Sequence, residues 1–585
     1  MKLAGKPYEV HLLAVIVLYV LGFAIYLNSF SVPFVFDDYP NIRDNPAIRM
    51  TALNLEALQA AVFESHALRR PVANISFALN YFAGGYDVKG YHLVNIFIHV
   101  ANGVLVYFLT LILLGRSRKL AHKPSIPDKR LRLAALAAAA IFIAHPLQIQ
   151  AVTYIVQRMT SMATMFYLAS LLFYLLGRQR QDRYGKGVYW LSALAFWLLA
   201  LGSKEIAATL PVVVLLVEYF FYRDPLKPWP GIGIGHLLLA LVATAGVVVL
   251  YLGSEPAAAI AEQYAGQDLT PLERLLTESR VLIFYMSLMV LPYPGRLSLD
   301  HTFSISHSLT DPITTLLAAA VLVAMLFGAL RLNRRHPTLT FCILWFLITL
   351  SIESTFIGLE LAYEHRLYLP MFALALAAAY LLVLAPGRFA TLSIGLAGFV
   401  VITLASASIL RNIIWQDPVT LWADAVSKSP ASHRAHNNLG RVLIDRGDWE
   451  QATLQFEEAI RLRPDYAEPH NNLGTLHARA KRFGQAEQHF AIAIELNPQY
   501  AQAFNNFGVA LLSQGRIRQA TAQLGQAVRV SPGYGKAHGN LSTALFQLGQ
   551  RQEACRHLFI ALQLDASVPY SRAALERCQA DTKTR

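Results

Sequence analysis

Along the first 412 positions, apolar runs alternate with short polar stretches; beyond them the pattern becomes a helical one that repeats every 34 residues. The apolar runs cover 10–30, 91–114, 131–144, 162–176, 188–201, 206–222, 232–252, 313–330, 340–357, 367–384 and 391–410. A helix needs roughly 20 apolar residues to cross a bilayer, fewer at the short end of the range. These runs therefore predict about eleven spans. A further stretch, 281–292, is apolar but short, and Glu273, Arg274, Glu278 and Arg280 precede it. Runs of roughly 10–14 residues more often lie in the interface, so this one is placed outside the count.

The repeat is visible in Asn437-Asn438-Leu439-Gly440, Asn471-Asn472-Leu473-Gly474, Asn505-Asn506-Phe507-Gly508 and Gly539-Asn540-Leu541-Ser542, each 34 residues apart, as are Pro430, Pro464, Pro498 and Pro532. Within a unit, two helical patterns flank a short turn at 481–483, small residues such as Gly474 and Ala486 let the helices approach, and a proline follows the second helix. This pattern resembles the tetratricopeptide repeat. Four repeats are expected over 434–567, with a half-repeat at 418–430 and a capping helix from 567 to about 579. The domain reading is a membrane unit at 1–412, a connector at 413–433 and a repeat arm at 434–585. Asn437, Asn471 and Asn505 recur on one helix face, where they either bind a protein segment or bond to the neighbouring repeat.

Composition agrees with a membrane body: 55% of the 585 residues are hydrophobic and 15% charged. The net charge of +13 is not a nucleic-acid footprint, because no basic face with interleaved aromatics occurs. Arg116, Arg118, Lys119, Lys123, Lys129, Arg130 and Arg132 crowd one loop, Arg178, Arg180, Arg183 and Lys186 a second, and Arg331, Arg334 and Arg335 a third. The positive-inside rule makes these cytoplasmic. The loops 31–90 and 254–312 are then outside, and so is the repeat arm. Three cysteines exclude a disulfide framework and a CxxC zinc site. Cys342 falls in an expected span; Cys555 and Cys578 both fall in the arm, where an oxidising compartment allows them to pair, although two free thiols are the favoured reading.

Polar residues gather at the outer ends of the spans. Asp37-Asp38 follows the first span. Two adjacent carboxylates repel, which raises one pKa and suits a general base; the same segment is also turn chemistry. His92, Asn95 and His99 share one face of the second span. Arg70, His145, Gln157-Arg158, Lys204-Glu205 and Glu364-His365-Arg366-Leu367-Tyr368 join them. Arginine and lysine at headgroup level suit a phosphate, and no nucleotide-cradling glycine loop is present.

Taken in order, Phe34–Asp38 with Asn41 and Ile42, Arg70-Pro71, 91–95 with His99, His145-Pro146, Lys204-Glu205, 297–301 and 364–370 resemble the transmembrane and tetratricopeptide-repeat O-mannosyltransferases, within the C-type glycosyltransferases. The resemblance implies an all-α membrane bundle of that kind followed by a tetratricopeptide-repeat solenoid. It also implies an inverting transfer of a sugar, mannose by the family's habit, from a polyprenyl-phosphate donor to hydroxyls of a protein acceptor held by the repeats. Asp37 or Asp38, with a lean to Asp38, takes the role of the base. Arg70, Lys204 and Arg366 neutralise the leaving phosphate. His92, Asn95, His99, His145, Arg158, Glu205, Glu364 and Tyr368 are further site candidates. The aspartate pair also suits a hard divalent cation such as Mg²⁺ or Mn²⁺, although one pair is not a full site. Gln157 stands where relatives more often carry glycine, and His365 separates the usual Glu-Arg pair. The composition points to a bacterial inner membrane with periplasmic repeats, or to luminal repeats in an endoplasmic reticulum. The competing readings are a non-catalytic scaffold recruiting envelope proteins and a transporter of lipid-linked sugars.

Overall fold

The computed structural model describes residues 7–120, 127–223, 255, 256–264, 269–355 and 357–564, together with Gly246, Val249, Gly253 and Cys578. Among these residues every regular element is helical. The chain divides into two compact units, Met1–Leu421 and Trp422–Arg585.

In the first unit, six described helices are long and apolar enough to cross a membrane, and a seventh joins them if Asp128–Ala144 and Pro146–Val152, bent by 51°, form one span. Pro337–Leu350 and Met371–Leu384 are shorter apolar helices. The expected span at 232–252 lies almost wholly outside the described residues. The helices Ile313–Leu332 and Ala390–Trp415 bury little of their surface, and Leu317, Val323, Leu330, Leu392, Phe399 and Ile402 are at least 59% exposed. So large an exposed apolar surface is stable against lipid, not water.

Two expectations change in detail. The run at 340–357 is helical only to Leu350; turns and bends carry Ser351–Thr355, and within them Glu353 is buried against Lys204 at 2.8 Å. The short run at 281–292 belongs to a 20-residue helix, Pro271–Val290. A capping box of Thr270 and Glu273 starts it, with Pro271 in the first turn. Its charged first half is thus part of the helix, and Arg274, Thr277, Glu278, Val281 and Tyr285 form one buried face.

The second unit opens with Pro418–Lys428 running across the division, followed by four helix pairs: 433–446 with 449–462, 467–479 with 483–496, 501–513 with 517–530, and 535–547 with 551–564. A methyl group on Gly440, Gly474 or Gly508 would come within 2.8 Å of Phe456, Phe490 or Leu524, so glycine permits the close approach within each pair. Cores straddle the pair boundaries: Ala452 and Phe456 pack with Leu473 and Leu476, and Ala486 and Phe490 with Ala510. Gly447, Gly515 and Gly549 close the turns with positive φ; at the equivalent place in the second repeat Lys481 adopts φ 57°. The expected capping helix at 567–579 lies outside the described residues apart from Cys578, which forms a disulfide with Cys555.

Candidate active site

The tight turn Ile155–Gln157 runs directly into the helix Arg158–Gln179, and several loops converge on it. Asp38 is fully buried. Its Oδ2 accepts the Val35 N–H at 2.9 Å and its Oδ1 the Val156 N–H at 2.7 Å. Phe36, at φ 43°, turns the chain so that Asp38 folds back onto Val35; a non-glycine residue in the left-handed region costs about 1–2 kcal/mol. Burial pushes the Asp38 carboxyl well above the ordinary range, against the pull of its two N–H donors. Asp37 is only half-buried, and its backbone N–H donates to the Tyr154 hydroxyl at 2.8 Å.

Beneath this loop, Arg158 donates to Asn95 Oδ1 at 2.6 Å and to the carbonyls of Tyr91 and Ser76, with its guanidinium over the rings of Phe77 and Tyr91. Asn95 donates in turn to the Val152 and Ile155 carbonyls. His92 Nε2 bonds Val32 O, and His145 Nε2 bonds Met289 O. His99 bonds Ile143 O and the Tyr368 hydroxyl, which also accepts from Asn102. All of these side chains are buried, and their bonds tie helices and loops together beneath the site.

Two of the candidate cations meet the same helix one and two residues further along, at Met159 and Thr160. Arg70 donates to Glu205 at 3.0 Å and lies against Met159 Sδ, with its side chain 31% exposed. Lys204 is buried and donates to Glu353 at 2.8 Å and to Thr160 Oγ1 at 3.1 Å. Arg366 is buried too; it donates to the carbonyls of Glu353, Leu361 and Glu360, with its Nε 3.9 Å from Glu353. Arg274 grips the same segment through the carbonyls of Thr355 and Leu359 and pairs with Glu278 at 2.8 Å. Burial holds the His365 imidazole well below its ordinary pKa, and Lys204, Arg366 and Arg70 add to the effect. The three cations therefore act on one small region. Glu364 accepts from Ser298 N–H and from His301.

The structure thus brings Asp37, Asp38, Arg70, Lys204, Glu205, Arg158 and Asn95 around residues 152–160. Of the three candidate phosphate ligands, Arg70 alone is substantially exposed, while Lys204 and Arg366 are held by carboxylate and carbonyl oxygens. Both carboxylate oxygens of Asp38 accept backbone N–H groups and tie the loop to the turn at Val156, while Asp37 is half-buried beside it. Among the described residues no three His, Cys, Asp or Glu side chains form a metal-binding group.

Sequence reasoning missed Glu353, Tyr154 and the Arg274–Glu278 pair as parts of the site. Glu353 had a signal, an acid near the end of an apolar run. The i,i+4 spacing of Arg274 and Glu278 was another. In the arm, Asn472, Asn506 and Asn540 donate to Asn437, Asn471 and Asn505 at 2.9, 3.0 and 2.8 Å. The recurring asparagines form a ladder between neighbouring repeats and are buried.

These features define a polytopic membrane protein whose polar site lies at the ends of its helices and which carries a tetratricopeptide-repeat domain. Family models described as TPR repeat and tetratricopeptide repeat match residues 440–480 and 505–567. Curated relatives are protein O-mannosyl-transferases of the transmembrane and tetratricopeptide-repeat family, similar over about three quarters of the chain. A Caenorhabditis elegans member is 23% identical over 74% of this chain and 60% of its own length. Drosophila melanogaster Tmtc3 is 24% identical over 74% and 53%, and Mus musculus TMTC3 24% identical over 78% and 51%. The chain thus spans between half and three fifths of the length of these relatives. Among solved structures, the crystal structure of MamA matches 25% of this chain and 85% of its own, at 23% identity and a TM-score of 0.23.

Proposed function

We propose that this protein is a membrane glycosyltransferase that moves a hexose, mannose by the names of its relatives, from a polyprenyl-phosphate donor to hydroxyls of a protein acceptor. The observation that carries the reading is the convergence at residues 154–160. Tyr154 and Val156 hold the aspartate pair, while Met159 and Thr160 touch Arg70 and Lys204. Acid and cation are thereby held by one short segment of chain.

In this reading Asp37 takes the proton of a serine or threonine hydroxyl as its oxygen attacks the anomeric carbon. The bond from that carbon to the phosphate oxygen breaks, and the electron pair leaves with the polyprenyl phosphate. Attack opposite the leaving group inverts the anomeric centre. Arg70 neutralises the departing phosphate, with Lys204 and Arg366 supplying positive potential behind it. Asp38 positions the loop. No step needs a divalent cation, although Asp37 would be the ligand if one is used. The repeat arm holds the acceptor, and the Cys555–Cys578 disulfide supports an extracytoplasmic, oxidising location for it.

The test compares the extracytoplasmic glycoproteome of a deletion strain complemented with wild type or with Asp37→Asn. Hexose on defined Ser/Thr peptides with wild type alone supports the reading. Equal restoration by the variant removes Asp37 as the base, and no dependence on the protein at all removes protein glycosylation.

A further inference from the structure

Gln157 lies between the acid and the cations, and the bonding around it fixes its side chain. Lys204 Nζ donates to Thr160 Oγ1 at 3.1 Å. A lysine ammonium has donors only, so the threonine oxygen must accept. The threonine proton then goes to Gln157 Oε1, 3.0 Å away. A relay Glu353–Lys204–Thr160–Gln157 thus runs outward from a buried carboxylate and ends on an amide whose oxygen is already engaged. Thr160 and Lys204 are buried, while Gln157 is half-buried. Its backbone N–H bonds Tyr154 O, which sets the residue on the turn whose neighbours Tyr154 and Val156 hold Asp37 and Asp38. With the oxygen fixed by the relay, the amide NH₂ is aimed away from Thr160.

We infer that Gln157 is a specificity-determining residue that donates hydrogen bonds to the sugar hydroxyls of the lipid-linked donor. The inference rests on the transferase reading and deepens it. Two N–H donors without charge suit neutral hydroxyl oxygens, whereas the phosphate falls to the half-exposed guanidinium of Arg70. A site built to hydrogen-bond a hydroxyl discriminates against sugars that place it elsewhere, because the amide is then left unmatched.

The test measures binding of three probes to the full chain in detergent: farnesyl phosphate, farnesyl-phosphate mannose and farnesyl-phosphate glucose. The readout is the affinity of each sugar-bearing probe relative to farnesyl phosphate, which cancels effects on the phosphate alone. In wild type one of the two epimers binds more tightly than farnesyl phosphate. Gln157→Ala lowers that ratio about 3- to 10-fold, the size of one neutral hydrogen bond, and reduces discrimination between the epimers. Gln157→Glu keeps an oxygen for Thr160 but removes the NH₂, so it lowers the ratio as well. Ratios equal to wild type in both variants overturn the inference, as does a loss with alanine that glutamate restores, which would mark a purely structural role for Gln157. If wild type binds none of the probes, the lipid-phosphate reading itself fails.

Discussion

The two aspartates of the first loop should separate into a base and a structural tie, and paired substitutions measure the division. Asp38 is buried, with both carboxylate oxygens accepting backbone N–H groups, from Val35 at 2.9 Å and Val156 at 2.7 Å. Asp38→Asn retains one acceptor and turns an NH₂ towards the other donor. An orphaned buried donor costs about 1–3 kcal/mol. Asp38→Ala orphans both donors, at about 2–6 kcal/mol, a large share of the roughly 5–15 kcal/mol that holds a domain folded. Asp37 is half-buried where Asp38 is fully buried, and asparagine keeps its shape, so Asp37→Asn leaves the unfolding temperature closer to wild type than Asp38→Asn and lowers transfer about 10²- to 10⁴-fold, the usual worth of a general base. The assay is hexose transfer from a synthetic polyprenyl-phosphate mannose to the peptides identified by glycoproteomics, run beside thermal unfolding of the same purified samples. Near-normal transfer by Asp37→Asn, together with a stable but inactive Asp38→Asn, refutes the reasoning and returns the base to Asp38. An Asp38→Ala protein as stable as wild type refutes the structural half.

Other outcomes follow from the packing. Lys204 and Glu353 are buried at 2.8 Å; removing one partner strands a charge at about 3–5 kcal/mol, so Lys204→Met and Glu353→Gln each lower the unfolding temperature, while the double Lys204→Met/Glu353→Gln, which keeps an oxygen beside Arg366, costs less than the sum of the two. Lys481 occupies the left-handed place that glycine fills in the other three repeats, so Lys481→Gly should stabilise the arm by about 0.5–1 kcal/mol, read from the urea midpoint. His489 is held down to about 4 by burial, with His470 and His477 adding repulsion. A folded-state pKa below the unfolded value means stability is full above about 6.5 and is lost as pH falls towards 4. Thermal unfolding of the arm should show that loss, and His489→Gln should reduce it; an unchanged acid response in the variant would point to other groups.

The sequence made the organisation legible wherever a period carried it. The 34-residue repeat located all four helix pairs, and the order of short motifs brought Asp37, Asp38, Arg70 and Lys204 onto one region. Backbone bonds were beyond its reach: nothing in the residue type of Val156 announces that its N–H holds Asp38. Hydropathy also hid Glu353, because one acid in an apolar run barely lowers the average, although the helix ends before it at Leu350. The exposure of Arg70 relative to Lys204 and Arg366 depends on the segment 353–361, whose carbonyls receive Arg274 and Arg366. Residue identity does not encode those carbonyl contacts. The asparagines illustrate the remaining gap. Their recurrence was plain, but their partners depended on how far one repeat rotates on the next.

That asparagine ladder makes the arm modular in length. Each rung joins residues 35 apart in the chain, with the outgoing amide of one repeat meeting the oxygen left by the repeat before it. Duplicating or cutting out the second or third repeat, each a unit of 34 residues with both asparagines and the glycine, restores every rung and every Gly–Phe or Gly–Leu contact. An insertion one residue longer or shorter rotates the following asparagine away from its neighbour and breaks the series there. Duplication of a whole unit is therefore the change of reach that the arm tolerates, and its length can vary in steps without altering the chemistry that joins one step to the next.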